Sequence, residues 1–229
     1  MTPAEPSPDL SVFLASSVHD MKNSIAILIG SMEKILAGSD PGRPEFGEMT
    51  HMMYETKRIN GNLIQLLALY KLGNHLYPFS PEDWLLDDFV AETLSQHLPL
   101  LRFRGIAFEA AVEADLVWPF DGDLVGGILG HALNNTIHYT RSKVRLVVRE
   151  SAEGLEIRVE DDGAGYPPKM LADGAAAMKG VDFQGGSTGL GLYFSAMAAR
   201  LHRNKGRHGA IRLENGGAWG GGCFVLTLP

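Results

Sequence analysis

Leu14-Ala15-Ser16-Ser17-Val18-His19-Asp20-Met21-Lys22-Asn23-Ser24-Ile25-Ala26-Ile27-Leu28 carries two patterns at once. The first is apolar: Leu14, Val18, Met21, Ile25 and Leu28, continuing through Met32 to Ile35, in steps of 4 and 3 by turns. That is a seam of period 3.5, which suits helices packed nearly parallel or antiparallel with slight supercoiling. The second pattern lies beside the seam. His19 and Asn23 are four apart and share a helical face, with Asp20 next to the histidine. A neutral imidazole with a carboxylate in reach is an oriented nucleophile, because the carboxylate can hold one ring nitrogen as N–H and leave the other free. An isolated His-Asp pair is more often a solvated helix face, so the rest of the chain has to decide.

Working outward, Gly38-Ser39-Asp40-Pro41-Gly42-Arg43-Pro44 breaks the helix. A second seam follows in Met49, Met52, Thr56, Ile59, Leu63, Leu66 and Tyr70. Two such helices joined by a short turn make an antiparallel hairpin over residues 10–73. A lone hairpin leaves much of its seam in water. Pairing with a second copy into a four-helix bundle buries it, so a homodimer is expected; packing on the rest of the same chain is the competing solution. Upstream, Met1 to Pro8 is Pro-rich and acidic without the basic and apolar regions of a secretory signal, and residues 1–9 are expected to be a disordered leader.

The 229 residues are 45% hydrophobic and 21% charged, as in an ordinary globular protein with material for one or two domains. A formal net charge of −7 points to neither nucleic acid nor an anionic membrane surface. No stretch approaches the roughly 20 apolar residues of a membrane span. Cys223 is the single cysteine, which excludes an internal disulfide and fits a reducing cytoplasm.

Beyond a connector at residues 74–82 the periodicity changes. Leu85 to Leu101 and Asp123 to Tyr139 are expected as helices, and Ile106 to Val112 as a strand. Val144, Leu146 and Val148 alternate in one strand, and Leu155, Ile157 and Val159 in the next. Leu190 to Leu201 forms a helix after a glycine loop, and Ala210 to Leu213 and Cys223 to Leu228 are strands. The expected fold class is α+β: an antiparallel or mixed sheet over residues 83–229 with helices on one face.

Two glycine clusters carry chemistry. Asp161-Asp162-Gly163-Ala164-Gly165 follows a strand, and Gly185-Gly186-Ser187-Thr188-Gly189-Leu190-Gly191-Leu192 opens a helix. Glycines let backbone amides approach a phosphate, and a helix N-terminus adds a favourable dipole. A carboxylate before the first cluster can accept from an amino group such as that of adenine. Either cluster alone is also an ordinary turn; neither ends as a P-loop does, and neither makes a dinucleotide-binding unit. Between them in function lies His131-Ala132-Leu133-Asn134-Asn135-Thr136-Ile137-His138-Tyr139-Thr140, in which His131, Asn135 and His138 share a helical face. Amide oxygens suit magnesium. Zinc on the two histidines would need further ligands that no Cys or His motif supplies.

In order and spacing these stretches resemble the transmitter region of two-component sensor histidine kinases over residues 10–229. His19-Asp20-x-x-Asn23 is similar to the phosphoacceptor box and Leu129 to Thr140 to the asparagine box. The two glycine clusters are similar to the family's glycine boxes, and the Gly220 to Pro229 tail resembles the end of its ATPase domain. The resemblance implies a dimeric hairpin followed by the two-layer α/β sandwich of the Hsp90, gyrase, MutL and histidine-kinase ATPases. It implies ATP and magnesium as cofactors, with His19 as phosphoacceptor and Asp20 as the base orienting it. Asn23 would orient water when a partner is dephosphorylated. Asn135 is implied as the magnesium ligand and Asp161 as the adenine reader. Gly163, Gly165, Gly189 and Gly191 would shape the pocket, with His131, His138, Tyr139, Thr188 and Leu190 completing the ATP-binding set. The implied partners are a second copy and a response-regulator receiver domain. The input comes through a separate sensor protein or a longer chain. A non-catalytic phosphotransfer adaptor with the same fold is the rival.

The chain departs from the family at two positions: His131 stands where asparagine is common, and His138 where lysine is common. A neutral imidazole is a poorer phosphate partner than a fixed ammonium, so catalytic rate and pH dependence are the properties at stake. The segment between Gly165 and Gly185 is short, with Asp182-Phe183-Gln184 the remnant of a phenylalanine box and Lys169 and Lys179 in reach of phosphates or simply solvated.

Overall fold

The computed structural model describes residues 10–40, 42–173 and 189–229. It divides into two compact units, Met1–Tyr77 and Pro78–Pro229.

The first unit is a helical hairpin, α1 (Leu10–Ala37) and α2 (Pro44–Gly73), with Pro44 in the first turn where its missing N–H costs nothing. The two helices pack along each other, and Lys57 reaches Glu33 across the pair at 2.8 Å. The 3.5-residue seams split in a regular way. Val18, Ile25 and Met32 are half-buried, whereas Met21, Leu28 and Ile35 are exposed. On α2 Met49, Thr56, Leu63 and Tyr70 are half-buried, whereas Met52, Ile59 and Leu66 are exposed. One half of each heptad seam closes the hairpin and the other half faces away from it.

The second unit is a two-layer sandwich. It opens with β1 (Glu82–Leu85) and α3 (Leu86–Ser95), then α4 (Leu98–Phe103). The single helix expected over Leu85 to Leu101 is therefore two, parted at Gln96-His97 ahead of Pro99. Proline has no N–H for the preceding turn but is well placed near the start of a new helix. β2 (Ala107–Val112), β3 (Val117–Phe120) and α5 (Gly122–Tyr139) follow. Next come β4 (Lys143–Ser151), β5 (Gly154–Asp161), α6 (Pro168–Asp173) and α7 (Leu190–Leu201). The short pair β6 (Arg203–Asn204) and β7 (Arg207–His208) precedes β8 (Ala210–Gly216) and β9 (Gly221–Leu228). The main sheet has the order β2-β4-β5-β9-β8, with β2 parallel to β4 and the other pairs antiparallel. It is the mixed form of the expected sheet.

The inner face of this sheet carries Val144, Leu146 and Val148, then Leu155, Ile157 and Val159, then Phe224, Leu226 and Leu228, all buried. Leu124, Ile128, Leu129 and Leu133 of α5 and Phe194 and Ala198 of α7 are buried as well, and both helices lie on strands of the sheet. The opposite face has charge where a second helix layer would otherwise sit. Arg149 meets Glu156 at 2.7 Å, Arg158 meets Glu160 at 3.0 Å and Glu214 at 3.2 Å, and Arg212 meets Glu214 at 3.4 Å. The aliphatic stems of these residues cover apolar surface, so β9 is buried along its whole length, Cys223, Val225 and Thr227 included. Burial beneath this ladder raises the Cys223 thiol to about 12, which makes it an inert core residue.

Candidate active site

His19, Asp20 and Asn23 lie mid-way along α1 with their side chains in solvent. Nδ1 of His19 is 3.4 Å from the Asn23 amide nitrogen and 3.7 Å from Oδ1 of Asp20. Both partners therefore sit on the Nδ1 side of the ring, which leaves Nε2 to solvent. The helix produces this arrangement directly, since residue i+4 stands one turn above residue i.

In the sandwich, α5 is the spine of the candidate nucleotide site. Its first turn is capped by Asp121, whose Oδ1 accepts from Leu124 N at 3.0 Å and whose Oδ2 accepts from Ser80 N at 3.1 Å. The Asp121 N–H donates to Nε2 of buried His202 at 3.0 Å, and Nδ1 of that ring donates to the Ala198 carbonyl at 3.0 Å. Burial keeps His202 neutral by lowering its pKa. Two ring nitrogens with opposite roles thus join the start of α5 to the end of α7.

Farther along α5, the Asn135 amide Nδ2 donates to Nε2 of His131 at 2.9 Å. Burial lowers the His131 pKa to about 4, so the ring is neutral and can accept. Its other neighbour is Gly191, in the first turn of α7, where any Cβ would collide with the imidazole. His138 does not join this pair. It is exposed and meets the exposed Tyr139 ring edge-on at 4.8 Å. The two histidines thus do not converge on a common ion. No three His, Cys, Asp or Glu side chains form a metal cage among the described residues. An amide oxygen with a free lone pair fits a cation that takes its remaining ligands from water and phosphate.

The β5 strand runs two residues beyond the expected Val159, to Asp161. Period-2 alternation then puts Asp161 on the inner face with Ile157 and Val159, where it is buried. Its Oδ1 accepts from Gly163 N at 2.7 Å and Gly222 N at 3.1 Å. Oδ2 makes no hydrogen bond among the described residues, and one carboxylate oxygen is left for a donor. Gly163 rests against the Tyr139 carbonyl, and a Cβ at Gly221 or Gly222 would strike Asp161 itself. The tail glycines therefore belong to the site as the wall around this carboxylate.

Three residues were not singled out from the sequence. Asp162 binds the loop from α5 to β4: its carboxylate accepts from the Arg141, Ser142 and Lys143 amides and the Thr140 and Ser142 hydroxyls, at 2.6–3.1 Å. Desolvation works against its ionisation, yet the hydrogen bonds from Ser142, Thr140 and Lys143 prevail and hold the carboxyl far below the usual range. Asn215 on β8 accepts from Tyr166 N at 2.7 Å and donates to Tyr166 O at 2.9 Å. That amide fixes the backbone just after Gly165, whose φ of 77° suits glycine. Burial raises the pKa of the Tyr166 phenol and keeps it neutral. An acid after an acid and an asparagine before a glycine turn are weak signals in sequence; only the fold shows what they hold.

Gly189 has a φ of 60° and caps α7, with Leu190 and Gly191 opening the helix. Thr188, Gly185, Gly186, Lys179 and Asp182-Phe183-Gln184 lie outside the described residues. Lys169 is exposed on α6.

Residues 120–229 match the family described as histidine kinase-, DNA gyrase B-, and HSP90-like ATPase. The chain is 25% identical over 229 residues to the sensor histidine kinase RppB of Synechocystis, covering 95% of this chain and 48% of that protein. To the sensor protein CseC of Streptomyces coelicolor it is 26% identical over 190 residues, covering 82% of this chain and 34% of CseC. The chain thus spans about half or less of the length of these curated relatives. Among solved structures, the histidine kinase AdeS of Acinetobacter baumannii superposes with a TM-score of 0.58 at 18% identity, over 91% of this chain and 95% of that one. The catalytic domain of the histidine kinase ThkA superposes at 0.54 and 18%, over 66% of this chain and 95% of that one. The fold of the sandwich is that of the histidine-kinase ATPases. These findings bear out the resemblance to the transmitter region of sensor histidine kinases, with the ATPase domain towards its C-terminal end. No helix among the described residues is long and apolar enough to cross a membrane.

Proposed function

We propose that the chain is an ATP-dependent protein-histidine kinase of a two-component system. Residues 83–229 bind ATP with magnesium, His19 in the hairpin of residues 10–73 takes the γ-phosphoryl group, and an aspartate on a response-regulator receiver domain accepts it next. The observation that carries this reading is the His19 ring, with Nδ1 turned to the Asp20 carboxylate and Nε2 in solvent; with the proton on Nδ1, the Asn23 amide nitrogen is a neighbour of the ring and not a donor to it. The Nε2 lone pair attacks the γ-phosphorus as the bond to the bridging oxygen breaks and ADP leaves. Asp20 takes up the positive charge that gathers on the ring by accepting from Nδ1–H. The Asn135 carbonyl would hold magnesium, which when bound would supply neutralisation of phosphate charge. Asp161 offers its spare oxygen to the amine of adenine.

The open halves of the two seams support a homodimer through a four-helix bundle. Met21, Leu28 and Ile35 with Met52, Ile59 and Leu66 form an apolar surface that a second copy would cover. Asn23 supports dephosphorylation of the partner receiver, by orienting a water when the histidine itself is not the nucleophile. In this reading the chain works in the cytoplasm and takes its input from a sensor elsewhere.

The test is incubation with γ-labelled ATP and magnesium, comparing the native protein with His19→Gln. The expected label resists alkali, is lost in acid and is missing from the variant. Label that survives His19→Gln places the acceptor elsewhere. His138, exposed where a phosphate-facing cation is common, favours the rival adaptor reading; that reading gains if calorimetry finds no magnesium-dependent ATP binding at all.

A further inference from the structure

The family-like position four residues before Asn135 is filled by a histidine, and that histidine is half-buried. Its ring lies between the Asn135 amide on one side and the bare backbone of Gly191 on the other. We infer that His131 is a positioning residue: its Nε2 lone pair fixes which end of the Asn135 amide faces the metal, and Gly191 is the only residue type that leaves room for it. This inference rests on the ATP and magnesium reading of the site.

An asparagine amide has a donor end and an acceptor end of nearly the same shape, and only its neighbours decide which points where. Here Nδ2 donates to Nε2, so Oδ1 is turned the other way. Oδ1 has no hydrogen-bond partner among the described residues, which leaves it free to ligate. Turning the amide over would press Oδ1 against the ring lone pair, two acceptors face to face. A neutral imidazole has one bare nitrogen and one N–H; with the proton on Nδ1, Nε2 is the bare one, and it makes the choice. An apolar side chain of similar bulk would fill the space without making it.

Gly191 bears on the same ring from a second element. It belongs to the second glycine cluster, whose glycines are read as serving the nucleotide. Its missing Cβ instead serves the imidazole: the collision is with the His131 ring and not with backbone. Through that contact the first turn of α7 rests on the residue that sets the metal ligand. One side chain thereby ties the asparagine box to the second glycine box.

The test measures, by calorimetry on the full chain, the affinity for a non-hydrolysable ATP analogue with and without magnesium. His131→Leu should reduce the affinity measured with magnesium by about tenfold more than the affinity measured without it, because one orienting hydrogen bond is lost and the packing is kept. His131→Gln, whose Oε1 can accept from the same amide, should restore most of the magnesium enhancement. Gly191→Ala, which drives a methyl group into the ring, should lower the enhancement in the same direction. An enhancement unchanged in His131→Leu, an equal loss with and without magnesium, or a failure of His131→Gln to rescue overturns the inference and leaves the ATP-binding reading standing. A native protein that binds the analogue no better with magnesium than without overturns both.

Discussion

The hairpin and the sandwich solve the burial problem in opposite ways. The sandwich closes on itself: its interior strand β9 is buried on both faces, apolar residues below and an Arg–Glu ladder above. The hairpin does half the job. Every second position of its seams packs across the helix pair, and the alternate ones stand in water. The difference teaches that one unit carries its stability within the chain, while the other has an apolar face whose energetics depend on what covers it.

Substitutions can separate the two. The largest effect is expected from Phe224→Ala in the sandwich, a loss of about 3–5 kcal/mol from lost contacts and the cavity left behind. All three tryptophans, Trp84, Trp118 and Trp219, lie in the sandwich, so denaturant unfolding followed by tryptophan fluorescence reads that unit alone. A change of similar size in a hairpin-specific helical signal would break the contrast.

Next in size is Leu28→Glu combined with Ile59→Glu, two open-seam positions. It should raise the dissociation constant of the proposed dimer by about a hundredfold or more in sedimentation experiments, since charge replaces the apolar area that dimer would bury. The tryptophan transition should not move. A native protein that stays monomeric at high concentration would remove the covered-face half of the comparison.

Acid should distinguish the units to a smaller degree. The sandwich folds with His131 and His202 neutral, both pKa values being lowered by burial, His131 to about 4. Below about pH 6.5 the unfolded chain binds protons that the folded unit refuses, so stability falls as pH drops from there towards 4. Tryptophan-detected melts at pH 7 and pH 4.5 should show the loss, and His202→Gln should flatten it. An unchanged midpoint would contradict the neutral imidazoles.

The smallest effect is expected from Asn215→Ala. Removing the amide that grips both backbone groups of Tyr166 should cost about 1 kcal/mol. Its sharper readout is faster hydrogen exchange at the Tyr166 amide, with exchange in the hairpin unaltered.

Legibility in sequence followed the range of the interactions. The hairpin seams, α5, α7 and the alternating strands were readable because a 3.5- or 2-residue period is local. So was the His19–Asn23 relation, which one helical turn creates. β1 and β3 escaped because Trp84 and Trp118 face each other across a gap of chain and make sense only as a pair. The extension of β5 to Asp161 was hidden because a buried carboxylate breaks the apolar alternation it continues. The clamp at Asp162, the grip of Asn215 on Tyr166 and the contact of Gly191 with His131 join residues remote in sequence. Each depends on sheet register or helix packing that no local pattern records.

The position of β9 between β5 and β8 has a kinetic consequence. The β8–β9 pair is a hairpin and can form within microseconds, but joining it to β5 closes a loop of 63 residues at Cys223 and Glu160. The walls around Asp161 come from both sides of that junction, since Gly163 follows β5 and Gly222 lies on β9. Refolding should therefore proceed in order of loop length: helical signal early, sheet closure later, and the complete surroundings of Asp161 only with the last of these steps.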